Sequence, residues 1–93
     1  MSITEQFIND RGIIFKIERN GQIMSELKAL QSLEENTSKK ILRFFHDSDV
    51  KSGDWAISPA NERFYVADVI TQYAFGSASE LRAYYQTESE HNH

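Results

Sequence analysis

The sequence predicts a mainly β protein: a small antiparallel β-barrel or rolled sheet of about six strands, with a short N-terminal helix. Three observations carry this. Apolar residues alternate with a period of two through much of the chain, as half-buried strands require. Turn signals recur at intervals of roughly ten residues. Asn20–Gly21 is the dipeptide that tolerates positive φ at both centres of a type I′ hairpin turn.

The 93 residues fit one domain, assigned to residues 1–88, with residues 89–93 as a polar frayed tail. Hydrophobic residues make up 40% and aromatics 12%, too much apolar surface for a disordered chain, and the core must be rich in aromatic rings. The absence of cysteine excludes a disulfide, a thiolate nucleophile and a cysteine metal site. No run of ~18 apolar residues and no apolar signal core occurs, so a cytoplasmic or virion location is expected, with no membrane partner. Net charge is −4 and only Lys39, Lys40 and Arg43 cluster, which disfavours nucleic acid.

Residues 2–10, SITEQFIND, read as a helix with Ser2 as N-cap, Glu5 three positions on, and Ile3, Phe7 and Ile8 on one side. Arg11–Gly12 ends it. A partner-docking helix and a short lid over one barrel mouth both fit, and the lid is expected. GIIFKIERNGQIM reads as a hairpin in which Ile13, Phe15 and Ile17 share a face. A two-residue loop sets Ile17 opposite Met24 and Arg19 opposite Gln22. Ile23, Leu27, Leu30 and Leu33 then lie close to helical spacing among good helix formers. The hairpin still needs a return strand, so a strand bending near residue 30 is expected, with a helix over 25–35 as the alternative. EENTSKK is a polar loop.

ILRFFH carries Ile41 and Phe45 on one face and Leu42 and Phe44 on the other, the mark of a central or bordered strand. DSDVKSGD is turn chemistry, with Gly53 as the residue free to take positive φ. Trp55 and Ile57 alternate with Asp54, Ala56 and Ser58 in the next strand, and Ser58-Pro59-Ala60-Asn61 suits a type I turn. Phe64, Val66 and Ile70 line one face of RFYVADVIT, opposite Tyr65, Ala67 and Val69, with Asp68 interrupting. QYAFGSASE is a connection around Gly76, and LRAYYQTE a last strand that sets Leu81, Ala83 and Tyr85 against Arg82, Tyr84 and Gln86.

Catalytic signatures are sparse. His46, Asp47, Ser48 and Asp49 are contiguous, but neighbours in a turn point in different directions, whereas a nucleophile, base and orienting acid must converge. A calcium loop starting at Asp47 fails at its fifth, sixth and twelfth positions, where Lys51, Ser52 and Ser58 stand. Glu88, Glu90, His91 and His93 could chelate a metal only by ordering a frayed tail. No phosphate loop or dinucleotide fingerprint occurs. No cofactor and no catalytic residue is expected.

The aromatic residues are more informative. They crowd the second half and fall on both faces of their strands, so one face must look outward or lie under the helix and loops. Phe44, Trp55, Tyr65, Tyr73, Phe75 and Tyr84 are the candidate interface, since such rings supply contact area at low entropy cost. Protein partners are expected, a homo-oligomer among them. Stacking of single-stranded nucleic acid on Trp55 and Tyr65 is the alternative, and an inhibitor or other globular domain a second.

DSDVKSGDWAISPANERFYVADV followed by LRAYYQTE resembles small proteins of phages and prophages of Gram-positive bacteria. The shared pattern is an Asp-rich turn, a Gly-Asp-Trp entry, a short hairpin, a Tyr-Val-x-Asp stretch and a closing strand, here with Arg82 in place of the expected Lys. It covers residues 41–88 best and is similar to the compact barrels of head–tail connector (stopper) proteins. The resemblance implies a structural ring subunit or completion protein at the capsid–tail junction, and implies no catalytic residue.

Overall fold

A computed structural model describes residues 3–92. Helix α1 (Ile3–Arg11) is followed by β1 (Ile13–Arg19), β2 (Gln22–Leu33), β3 (Lys40–Phe44), β4 (Trp55–Ile57), β5 (Arg63–Ala74), β6 (Ser77–Thr87) and a helical turn α2 (Glu88–His91). All neighbouring strands are antiparallel. They close into a barrel in the order β1-β2-β3-β6-β5-β4. The expected six-strand barrel with an N-terminal helix is therefore the observed fold.

The barrel forms because each strand can turn one row of side chains inward. Phe15, Ile17, Ala29, Leu42, Phe44, Ala56, Phe64, Val66, Leu81 and Ala83 form one buried cluster, closed by Val50 from the connection between β3 and β4. Ile8 of α1 and Ile41 of β3 are fully buried outside that cluster. β3 lies between β2 and β6, which accounts for apolar residues on both of its faces.

The first hairpin turns at Asn20 and Gly21, both with positive φ, as expected. Arg19 faces Gln22, but Ile17 faces Ser25 rather than Met24. Met24 is an extra residue in a β-bulge, which returns the strand to register while increasing its twist. The helix weighed for residues 25–35 does not form, and β2 runs as a strand to Leu33. It pairs with β1 up to Ala29 and with β3 from Ala29 onward. Tertiary pairing here overrides helix propensity.

α1 packs against β2, β3 and β6. Ile8 is its buried apolar side chain, while Ile3 and Phe7 are exposed, so the three do not share a buried side. The Ser2 cap lies outside the described residues. Gly12 ends the helix where a Cβ would stand 2.4 Å from the Ile8 carbonyl oxygen and 2.7 Å from Lys28 Cγ. That approach between helix end and β2 admits only glycine. Lys28 Nζ donates to the Asn9 carbonyl at 2.9 Å, fixing the same junction.

The second half departs from expectation in two places. Ala67 bulges out of the β5–β6 ladder, so Val66 faces Tyr85 and Asp68 faces Tyr84. One extra residue reverses the facing of everything beyond it. Val69, not Ile70, packs against the core, and Ile70 is exposed. Residues 72–80 are not an open connection: β5 runs to Ala74 and β6 starts at Ser77, leaving Phe75–Gly76 as a two-residue turn.

Candidate protein interface

The paired part of β5 beyond the barrel is a two-stranded ribbon. β4 pairs with β5 only at residues 63–65, and β3 pairs with β6 only at residues 81–84. Past these points β5 and β6 have only each other, up to Ala74 opposite Ser77. The ribbon exposes Tyr73 (65%) and Phe75 (106%), and Ile70 is exposed on β5 before it, opposite Arg82.

Phe75 has φ 53 and Gly76 φ 79, the signs a type I′ turn requires at its two centres. The same geometry at Asn20–Gly21 uses the residues that adopt it readily. A bulky side chain with positive φ is a conformational outlier, and Phe75 holds it with its ring wholly in solvent. The ring therefore does nothing for the fold that would offset the strain.

Next to the tip, a groove of about 620 Å³ is lined by Ile3, Glu5, His46, Ala74, Phe75 and Ala78 among others. It joins the exposed end of α1 to the ribbon. Glu5, only 6% exposed, accepts from the His46 backbone N–H at 3.0 Å and pairs with His46 Nδ1 at 2.8 Å. This contact ties α1 to the end of β3. Glu5→Ala is expected to loosen the helix, with α1 amides exchanging faster while barrel amides keep their protection. Equal loss of protection throughout would contradict that role.

The six candidate residues part company in the structure. Phe44 is fully buried in the barrel core and cannot contact a partner. Trp55 and Tyr65 are opposite each other on β4 and β5 and lie beneath α2. His91 stacks on Tyr65 at 3.8 Å between centroids and meets Trp55 edge-on at 5.3 Å. The Arg63 guanidinium sits 4.7 Å over the Trp55 ring. These contacts occupy ring faces that base stacking needs. Tyr84 is half-buried, and its hydroxyl donates to Glu34 Oε2. That bond, followed by one from Thr37, holds the Glu34 carboxyl below its ordinary range and raises the Tyr84 phenol. Only Tyr73 and Phe75 remain as open surface.

α2 corrects the frayed tail. Thr87 Oγ1 accepts from Glu90 N–H and the Glu90 carboxylate accepts from Thr87 N–H, a capping box. Lys40 Nζ reaches Glu90 at 2.7 Å and Arg63 Nε reaches Glu88 at 3.2 Å. His93, part of the metal-chelating tail considered from sequence, lies outside the described residues. Lys40, with help from the Thr87 N–H and hydroxyl, holds the Glu90 carboxyl down at about 2. Its folded value lies below the unfolded one of 4.5, so its stabilising contribution is complete above about pH 4.5 and disappears as pH falls through about 2. Fluorescence of Trp55, the one tryptophan, is expected to stay constant above that window and change within it. A transition centred near neutral pH would show that another group controls the docking of α2.

Basic residues near this face are spoken for. Lys40 pairs with Glu90, Arg43 stands 3.4 Å from the buried Glu80, and Lys39 lies over the Tyr84 ring. Among the described residues, no group of three or more His, Asp or Glu side chains gathers as a metal would require. No helix among them is long and apolar enough to cross a membrane.

Sequence reasoning missed the exposure of Ile3, which lines the groove with Phe75, and of Ile70 on β5. Phe-Gly between β-prone runs was the available signal for a tight turn with an aromatic at its tip. The bulge that turns Ile70 outward left no such mark. No protein-family model, curated protein or solved structure matches this chain.

Proposed function

We propose that this chain is a non-enzymatic structural or assembly protein of phage or prophage origin, acting through protein–protein contacts at the head–tail junction. The single observation behind the contact role is Phe75: a solvent-exposed ring displayed at the end of a ribbon, in a backbone conformation that disfavours it. Strain of this kind, of order 1–3 kcal/mol, persists where function needs it. Ile3 lines the groove beside it and Tyr73 stands exposed two residues before it, the kind of apolar surface that partner contacts bury. The head–tail location draws on the resemblance over residues 41–88, and the compact barrel is compatible with it.

Phe75→Asn separates stability from function. Asparagine suits the first centre of a type I′ turn, so thermal unfolding should move up by a few degrees, in keeping with a gain of about 1 kcal/mol. In the native host, induction of a strain carrying this allele should yield capsids without tails by electron microscopy. Intact virions at wild-type titre would remove the head–tail assignment, as would a wild-type host that makes no particles. A lower melting temperature would mean that Phe75 serves the fold after all.

A further inference from the structure

We infer that the outer edge of β5 pairs with the same edge of a second copy of this chain, joining two ribbons into one continuous antiparallel sheet. The inference takes the contact reading above as its premise, while the phage assignment plays no part in it.

Pairing of β5 with β4 ends at residue 65, and the backbone bonds on that side end at Val66, whose N–H donates to the Asp54 carbonyl and whose carbonyl accepts from Gly53 N–H. From residue 67 to 74 no described strand pairs with this edge, while β6 covers the other. Unpaired strand groups in a row are complemented by another strand. Proteins blunt such edges with Lys, Pro, bulges or short length. Residues 68–74 contain no Lys, Arg or Pro, and the bulge at residue 67 lies before them. The later register shift puts its extra residue, Ser79, on β6. The exposed stretch on β5 is thus regular and rich in β-branched and aromatic residues.

Self-complementarity selects a second copy as the partner. An antiparallel two-fold centred on Thr71 sets Ile70 against Gln72 and Val69 against Tyr73, a β-branched residue against an aromatic. Asp68, the sole charge in the stretch, falls opposite Ala74 and not opposite its own mate. Its carboxylate currently accepts from Val69 N–H at 2.9 Å, a local bond that pairing would exchange. The same register carries Phe75 of one copy beside Ala67 of the other. Ala67 borders a groove of about 520 Å³ that includes Asp68, Ile70 and Tyr84. Each strained tip then has a recess to enter, lined by Ala67, Ile70 and Tyr84 together with Lys39, Lys40, Asp68 and Gln86, twice per dimer, as an isologous interface demands.

The test is sedimentation from about 1 µM to about 1 mM, the range of weak to moderate dimers, combined with amide exchange. Wild type should form a dimer with amides in residues 68–74 gaining protection as concentration rises. The double variant Ile70→Lys, Thr71→Lys changes only exposed side chains and places ammonium groups across the two-fold. It should raise the dimer Kd at least about tenfold while keeping its melting temperature. Ile23→Lys, on a separate exposed apolar patch of the first hairpin, should leave Kd unchanged. A monomer across the whole range, or a dimer indifferent to the double variant, overturns edge pairing. Loss of the dimer by Phe75→Asn alone, with residues 68–74 unprotected, would retain the contact role of the tip and reject the strand pairing. A chain that stays monomeric yet still fails to complete virions when Phe75 is replaced would do the same.

Discussion

Phe44→Ala is expected to destabilise the protein by about 3–5 kcal/mol, the range for removing a buried phenylalanine. Phe44 is fully buried and faces Ala29 on β2 and Leu81 on β6. Ala29, directly opposite it on β2, is too small to reach into the space its ring would vacate. A domain of this size has total stability of roughly 5–15 kcal/mol, so a large share would be lost and the variant would be partly unfolded near body temperature. Phe44→Leu should be milder, about 1–2 kcal/mol, because most of the volume is kept. Urea titration of both variants, with Phe75→Ala as an exposed control expected within about 0.5 kcal/mol of wild type, gives the comparison. Equal midpoints for Phe44→Ala and Phe75→Ala would place Phe44 outside the core.

That contrast shows which layer of the structure was legible. Alternation revealed where strands lie, and Asn20–Gly21 revealed one turn. Alternation alone could not say which of two apolar faces turns inward, as ILRFFH illustrates, because Leu42 and Phe44 enter the cluster while Ile41 is buried on the other side. Bulges are harder still. Ala67 carries no special residue type, yet its insertion exchanges the roles of Val69 and Ile70. Along β4 and the residues flanking it the buried row is Asp54, Ala56 and Ser58, whereas Trp55 and Ile57 are only half-buried. The polar residues can face inward because partners meet them there: Arg19 and the Lys51 N–H at Asp54, and the Ala60 and Glu62 N–H groups at Ser58 Oγ. Arg19 is 35 positions away in sequence from Asp54, beyond any local pattern. Thr87 and Glu90 stand at capping-box spacing, a signal that the expectation of a frayed tail passed over. Its context was not, since the rings of Trp55 and Tyr65 that α2 covers come from other strands.

The interface shows the same division. Aromatic composition pointed toward contact surface, but only position in the sheet separates a ring that fills the barrel from one that leaves it. Tyr73 and Phe75 lie past the last residue that β3 or β4 can pair, so they are displayed by strand length. β5 and β6 run for 12 and 11 residues, while β4 has three. The unequal lengths create the ribbon and leave its edge open.

Asp54→Ala is the second substitution expected to have a large effect, about 3–5 kcal/mol, since it breaks a buried, hydrogen-bonded charge site. Asp54 is 1% exposed. Its Oδ1 accepts from Arg19 Nε at 2.8 Å, and its Oδ2 accepts from Arg19 Nη2 at 2.9 Å and from Lys51 N–H at 2.9 Å. The fork of the guanidinium matches the carboxylate, an arrangement lysine cannot reproduce. Asp54, and after it Asp49, holds the Arg19 guanidinium even more firmly in its charged form. These bonds fasten the end of β1 to the segment that enters β4, where Asp54 also accepts from Val66 N–H through its carbonyl. Removing the carboxylate leaves the Lys51 N–H unmatched and Arg19 with only Asp49, whose side chain is largely in water. Such an exposed pair is screened and weak, so Asp49→Ala should scarcely move the unfolding midpoint. Asp54→Asn keeps one acceptor and the shape, and should fall between the two. If urea titration ranks Asp49→Ala as the more damaging change, the barrel is not closed by the pair at Asp54. Closure would then rest on the short β1–β4 and β4–β5 ladders alone.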